Sequence, residues 1–176
     1  MNNNLSNKLF NAVCHGDVKK IKELLEAGAD VNARHDEGGT SLHCPSSLEI
    51  VKILIDAKAD PNARNKWGKT ALHYVREAGA AKILIDAGAD PNIQDNWANS
   101  HLHVAKTAGI VKILIDAGAD VNAKDLFGEP PLFYSRTVKI AEMLLDAGAN
   151  PINFEKLPLT LDADVRVFLE NLQSST

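Results

Sequence analysis

Aromatic side chains make up only 5 % of this 176-residue chain. A core built with so few must draw its bulk from Ala, Leu, Ile and Val. Cysteine is scarcer still: Cys14 and Cys44 stand alone, with no CxxC pair. They read as small, buried or half-buried thiols in a reducing compartment, and a bridge between them is disfavoured. No apolar run approaches the roughly 20 residues a membrane span needs. The opening Met1-Asn2-Asn3-Asn4 lacks the basic-then-apolar layout of a secretory leader. A net charge of −4 and a pI near 5.8, with the two signs interspersed, leave no basic stripe for nucleic acid. Missing too are a Gly-rich phosphate loop, HExxH, GxSxG and any Cys/His pairing. The expectation is a cytoplasmic protein, in its own cell or exported to the cytosol of another. It should have no catalytic residues, no cofactor and no metal, and neither membrane nor nucleic acid among its partners.

What the chain has is repetition. Gly28 to Asn32 reads Gly-Ala-Asp-Val-Asn, and versions of it start again at 58, 88, 118 and 148, each 30 residues on. A fixed period of this size marks a solenoid, in which each unit buries its apolar side against the next. The periods divide one continuous domain into an N-terminal cap at 1–34 and short repeats at 35–64, 65–94, 95–124 and 125–153. A C-terminal cap occupies 154–176.

Within the units the apolar spacing is helical. In the first cap Leu9, Ala12 and Val13 mark one helix face, and Val18, Ile21, Leu24 and Leu25 a second. His15-Gly16 ends the first helix and Asp17 begins the next. Each internal unit opens with turn residues and a Thr or Ser suited to an N-cap, except that Pro130-Pro131 replaces it in the last. Each second half is a short helix, such as Ala80 to Ala87, closed by a glycine in the left-handed region. Lys58 replaces that glycine in the first internal unit and Pro45 cuts into its first helix, so this unit is expected to be the loosest. Ser46-Ser47 with Glu49 reads as a capping box. In the last cap Val165, Phe168, Leu169 and Leu172 form a helical face started by Asp162 or Asp164, preceded by a shortened hairpin around Pro158-Leu159, and residues 173–176 should fray.

Thr70-Ala71-Leu72-His73, followed by Ile83 to Asn92 (Ile-Leu-Ile-Asp-Ala-Gly-Ala-Asp-Pro-Asn), resembles the ankyrin repeat, whose signature includes Thr-Pro-Leu-His-x-Ala. The likeness runs from Leu5 to about Leu172. It implies an all-α solenoid of stacked helix-turn-helix units with β-hairpin or turn loops, acting as a protein-binding module. One departure stands out. The family period is near 33 residues. The first unit keeps the family's spacing from its leucine to the glycine, 19 residues from Leu9 to Gly28, whereas Leu72 to Gly88 and Leu102 to Gly118 span 16. Three residues turn a helix by about 300°, nearly a full revolution, so the core positions stay in phase. A thinner solenoid with clipped helices and altered curvature should result.

Three recurrent columns of residues could carry chemistry. His43, His73 and His103 come one per unit, about 10 Å apart if helices stack normally, too far for two of them to share a metal ion. The resemblance implies a structural histidine bonded to backbone. Asp30, Asp60, Asp90 and Asp120, each two residues before Asn, suit loop-shaping bonds. The third column is Glu37, Trp67, Trp97 and Phe127, which the resemblance puts at hairpin tips. Two readings stand: anchors for a partner, or plates packed over neighbouring hairpins. Lys66, Lys69, Asn96, Asn99 and Glu129 would form a polar rim. Tyr74, Arg76, Lys106, Tyr134 and Arg136 would add contacts on the concave inner-helix face. The expected function is a monomeric, non-enzymatic module gripping a protein partner; the alternative is a structural or self-associating scaffold.

Overall fold

The computed structural model describes residues 3–44, 47–150 and 161–173. Among these residues eight helices follow one another: α1 (Asn3–His15), α2 (Val18–Glu26), α3 (Leu48–Asp56), α4 (Ala78–Asp86), α5 (His101–Val104), α6 (Ala108–Asp116), α7 (Val138–Asp146) and α8 (Ala163–Gln173). Among the described residues there is no strand, so the expected hairpins are turns alone. The expected effects of Pro45, the Pro158-Leu159 hairpin and the fraying at 174–176 lie outside the described residues.

Among the described residues the first cap holds the only full helix pair of the repeats, α1 folded back on α2 at Gly16 (φ +75). In the internal units the first helix shrinks to a single turn: Ser41–His43, Ala71–His73 and Pro131–Tyr134 as 3-10 turns, and α5 as one α-turn. Extended residues then lead to a nine-residue outer helix. Removing three residues at this connection leaves too few to propagate a first helix, because nucleation fixes several dihedrals for a single bond. The clipping expected from the spacing is thus concentrated on one helix of each pair.

What remains is enough for a core because every unit contributes the same few buried positions. Leu42, Leu72, Leu102 and Leu132 from the inner turns meet Leu54, Leu84, Leu114 and Leu144 from the outer helices, all at most 3 % exposed. Full burial of each leucine is worth about 1.5–3 kcal/mol. Outer helices pack in succession, α3 on α4, α4 on α6, α6 on α7 and α7 on α8, as a stack of neighbours requires. Each ends in the same way. Ala89 N donates to Leu84 O and Gly88 N to Ile85 O, both at 2.9 Å, and the pattern recurs at Ala29, Ala59, Ala119 and Ala149. This Schellman motif places a left-handed residue just after the helix. Gly28, Gly88, Gly118 and Gly148 occupy it, and Lys58 adopts it with φ 68.

Helix starts follow local chemistry. Ser47, Thr107 and Thr137 accept from the backbone N–H three residues on, each at 3.3 Å. Ser47 is therefore the cap of α3. Glu49 stands two residues after it, pairing with Lys22 at 3.9 Å, and not at the third position that a capping box needs. Asp162 caps α8, accepting from Asp164 N at 3.0 Å, and Val165 and Leu169 are buried beneath it.

Candidate functional site

A side chain at each hairpin base builds the tip above it. Asp95 Oδ1 accepts from Trp97 N and Asn99 N, both at 2.9 Å. Asn65 does the same for Trp67 and Lys69, and Asp125 for Phe127 and Glu129. Successive tips are then joined by backbone: Lys66 N donates to Glu37 O, Asn96 N to Trp67 O and Leu126 N to Trp97 O, at 2.9–3.1 Å. In the first hairpin His35 takes the base position, and its ring packs on Phe10 of the cap at 3.8 Å between centroids. The tips therefore form a rigid, hydrogen-bonded edge along the stack.

The aromatic series changes character along that edge. Trp67 is half-buried, with Lys66 Nζ 4.7 Å from its ring centroid, and Lys66 is itself ion-paired with Glu37. Trp97 is 45 % exposed, with Lys69 Nζ 5.4 Å from its ring. Phe127 is 83 % exposed. Its chain neighbour Leu126 is 66 % exposed and stands where the preceding units have Lys66 and Asn96. Sequence reasoning missed Leu126, although that column of polar residues gave the signal.

The expected rim and inner-face residues divide into two groups. Several are engaged in the fold. Lys69 lies 3.7 Å from the fully buried Asp95 carboxylate, and Asn96 Nδ2 donates to Lys66 O. The Asn99 side chain reaches Asp95, and Glu129 supplies a backbone acceptor to His103. Tyr134 donates from its hydroxyl to Asp125 Oδ2 at 2.5 Å, and Tyr74 accepts from Asn65 Nδ2 at 2.8 Å. Burial alone would raise the Asp125 carboxyl, but the Tyr134 hydroxyl and two backbone N–H groups bring it below its ordinary value. Burial and that same bond push the Tyr134 phenol up. The second group, Arg76, Lys106 and Arg136, is exposed.

The histidine column serves the stack. His43 Nδ1 accepts from Thr40 N at 3.0 Å, so the proton sits on Nε2, which donates to Lys69 O of the next unit at 3.0 Å. His73 and His103 repeat this with Asn99 O and Glu129 O. Both ring nitrogens are thus occupied by backbone, and burial lowers each of these three rings below the usual imidazole range. Among the described residues no three His, Cys, Asp or Glu side chains group as metal ligands would. The aspartates shape the loops, as in Asn62 N to Asp60 Oδ1 at 2.9 Å. The asparagines two residues later do more. Asn62 Nδ2 donates to Gly88 O at 2.8 Å and Oδ1 accepts from Asp90 N at 2.8 Å, both in the following unit. Asn32, Asn92 and Asn122 make the same pair of bonds.

Stacked units of one turn and one outer helix, tied at fixed intervals by asparagine and histidine, define a helical-repeat solenoid. The family model for ankyrin repeats, in three copies, matches residues 9–95 and 72–154, and the chain belongs to the ankyrin-repeat family. No curated protein matches it. Ankyrin repeats are generally protein–protein interaction modules and typically have no enzymatic activity. Among the described residues no helix is long and apolar enough to cross a membrane.

Proposed function

We propose that the chain binds a partner protein through the C-terminal part of its hairpin edge, with the inner face as a second contact zone. The observation behind this is the Leu126–Phe127 pair, held out on a hydrogen-bonded tip in a chain otherwise poor in aromatics. Large apolar side chains on a pre-ordered surface suit an interface centre, because little entropy is lost when they dock. Trp97 would extend the patch, with Asn96, Asn99 and Glu129 as its polar surround. Trp67 contributes less, since Lys66 already covers its ring.

Affinity capture with wild type beside a Trp97→Ala/Phe127→Ala variant tests the reading. Loss of the captured partner at unchanged melting temperature supports it, and equal capture by both sinks it. Self-association is the second reading, favoured by Val167 (54 % exposed) and Leu172 (42 % exposed) on the last helix. Light scattering over a range of concentrations separates the two: a concentration-independent monomer removes the second.

A further inference from the structure

Half of the cations of the internal units are already occupied. Lys66 pairs with Glu37, Lys69 with Asp95, Lys82 with Asp86, Lys112 with Asp116 and Lys139 with Glu142. Arg64 donates to Gln94 O. Lys52, Lys58 and Lys124 are exposed without an ion pair among the described residues, but they do not share a repeat position, whereas Arg76, Lys106 and Arg136 do. The latter three stand two residues before the outer helices α4, α6 and α7, they are exposed, and no anion pairs with them among the described residues. In a chain of net charge −4 this is a basic row, one cation per unit.

The row has a defined end. Arg76 lines a cleft of about 310 Å³ between the first two internal units, whose apolar walls come from Cys44, Val51, Val75 and Ala80, with the Tyr74 ring beside them. Glu77, at the cap of α4, also lines it and would repel a carboxylate there. Thr107 and Thr137 stand at the matching positions farther along. The cleft suits an apolar group and the row beyond it suits anions.

Spacing identifies the occupant. Units stack about 10 Å apart, and a peptide in the extended polyproline II conformation advances about 3.1 Å per residue with three residues per turn, so every third residue faces the same side about one unit farther on. We infer that Arg76, Lys106 and Arg136 bind an extended acidic segment of a partner protein with a carboxylate at every third residue, its apolar side chain one step earlier entering the cleft beside Tyr74. This rests on the protein-binding reading and gives the inner face its ligand chemistry.

The probe is a fluorescein-labelled peptide, Leu-Gly-Ser-Glu-Ser-Gly-Glu-Gly-Ser-Glu, titrated with the full chain by fluorescence anisotropy. Binding should weaken with salt. It should fall about tenfold or more in R76Q/K106Q/R136Q, as removal of close charge pairs does. A peptide of the same composition with its three glutamates adjacent should bind more weakly. Equal binding by the triple variant, or by the rearranged peptide, overturns the assignment. So does tighter binding of a single-stranded oligothymidylate, which would make the row a phosphate-backbone site. The Trp97→Ala/Phe127→Ala variant should bind the peptide as wild type does. If it does so yet still captures the partner, the tip reading fails and the basic row stands.

Discussion

The imidazoles of His73 and His101 lie 4.0 Å apart between centroids, and Thr70 Oγ1 stands within reach of both, 3.2 Å from His73 Nδ1 and 3.0 Å from His101 Nε2. His101 Nδ1 donates to Pro91 O at 2.8 Å, so its Nε2 must accept, and the Thr70 hydroxyl donates to it. The arrangement holds only while both rings are neutral.

Acid should therefore loosen the middle of the stack. Burial holds His101 near a pKa of about 4; burial, with the neighbouring His101, holds His73 near about 3. Both are depressed from 6.5, so the unfolded chain binds more protons between pH 6.5 and about 4. The neutral-ring contribution is complete above pH 6.5 and is lost as pH falls through that window. For the almost fully buried His101 the loss is about 3 kcal/mol. Thermal melts from pH 7.5 to 4.5 should show a steep fall in wild type and a shallower one in His101→Ala, which carries the residue found at Ala71 one unit earlier.

The asparagine bridges predict a second effect. Asn92→Ala removes donation to Gly118 O (3.1 Å) and acceptance from Asp120 N (2.7 Å), both across a unit boundary. Two such bonds at a partly exposed edge are worth about 1–2 kcal/mol together. Urea unfolding should register that loss. Asn62→Ala/Asn92→Ala should lose about the sum if the boundaries act independently.

Among the described residues two hold left-handed backbone without being glycine, Lys58 (φ 68) and Ala98 (φ 58). Their counterparts in other units include Gly88 (φ 91) and Gly68 (φ 75). Lys58→Gly and Ala98→Gly should each stabilise by up to about 1 kcal/mol, as relief of the Cβ clash outweighs the added freedom of the unfolded chain. Midpoints of urea unfolding check the sign. If Lys58→Gly has no effect, the first internal unit is not weakened at its helix end.

These positions also mark how far the sequence reveals the structure. Lys58 was legible because the period aligns it with four glycines, and the core leucines were legible for the same reason. The shrinkage of the first helix to one turn was only half legible: counting Leu72 to Gly88 located the missing residues, but not which helix yields. Asn62 was read as a local loop residue because its partners at 88 and 90 are neighbours only once the units stack. His101 escaped notice because its column holds Ser41, Ala71 and Pro131, and a single odd member gives no periodic signal. In sequence Tyr74 and Tyr134 read as contact groups of the inner face. The hydroxyl bonds to hairpin bases nine residues upstream arise from tertiary geometry.

The thiols offer an independent check on the boundary between the cap and the first internal unit. Cys14 is exposed, yet its thiol is pushed up to about 12 by burial of its surroundings and by a hydrogen bond with Cys44. At pH 8 its thiolate fraction should be lower than that of free cysteine by about a hundredfold or more. Iodoacetamide labelling followed by peptide mass mapping should find Cys14 slow in wild type and faster in Cys44→Ala. Fast Cys14 labelling in wild type would mean that α1 does not pack on the first inner turn, Ser41–His43, as its contacts there require.

The tip aromatics should separate by stability. Trp67 is half-buried under the Lys66 ammonium, so Trp67→Ala removes both packing and a cation–π contact and should cost about 1–2 kcal/mol. Phe127 is 83 % exposed and makes no ring contact among the described residues, so Phe127→Ala should stay within about 0.5 kcal/mol of wild type. Trp97, 45 % exposed beneath Lys69, should fall between them. Urea midpoints for the three single variants give the order directly. The order matters because contacts within the fold and contacts reserved for a partner compete for the same ring surface. A ring that costs little to remove from the free protein, yet stands rigidly in water, is the one available to another molecule. Equal losses at all three positions would make the series a packing device, and the binding edge would then have to be sought elsewhere on the stack.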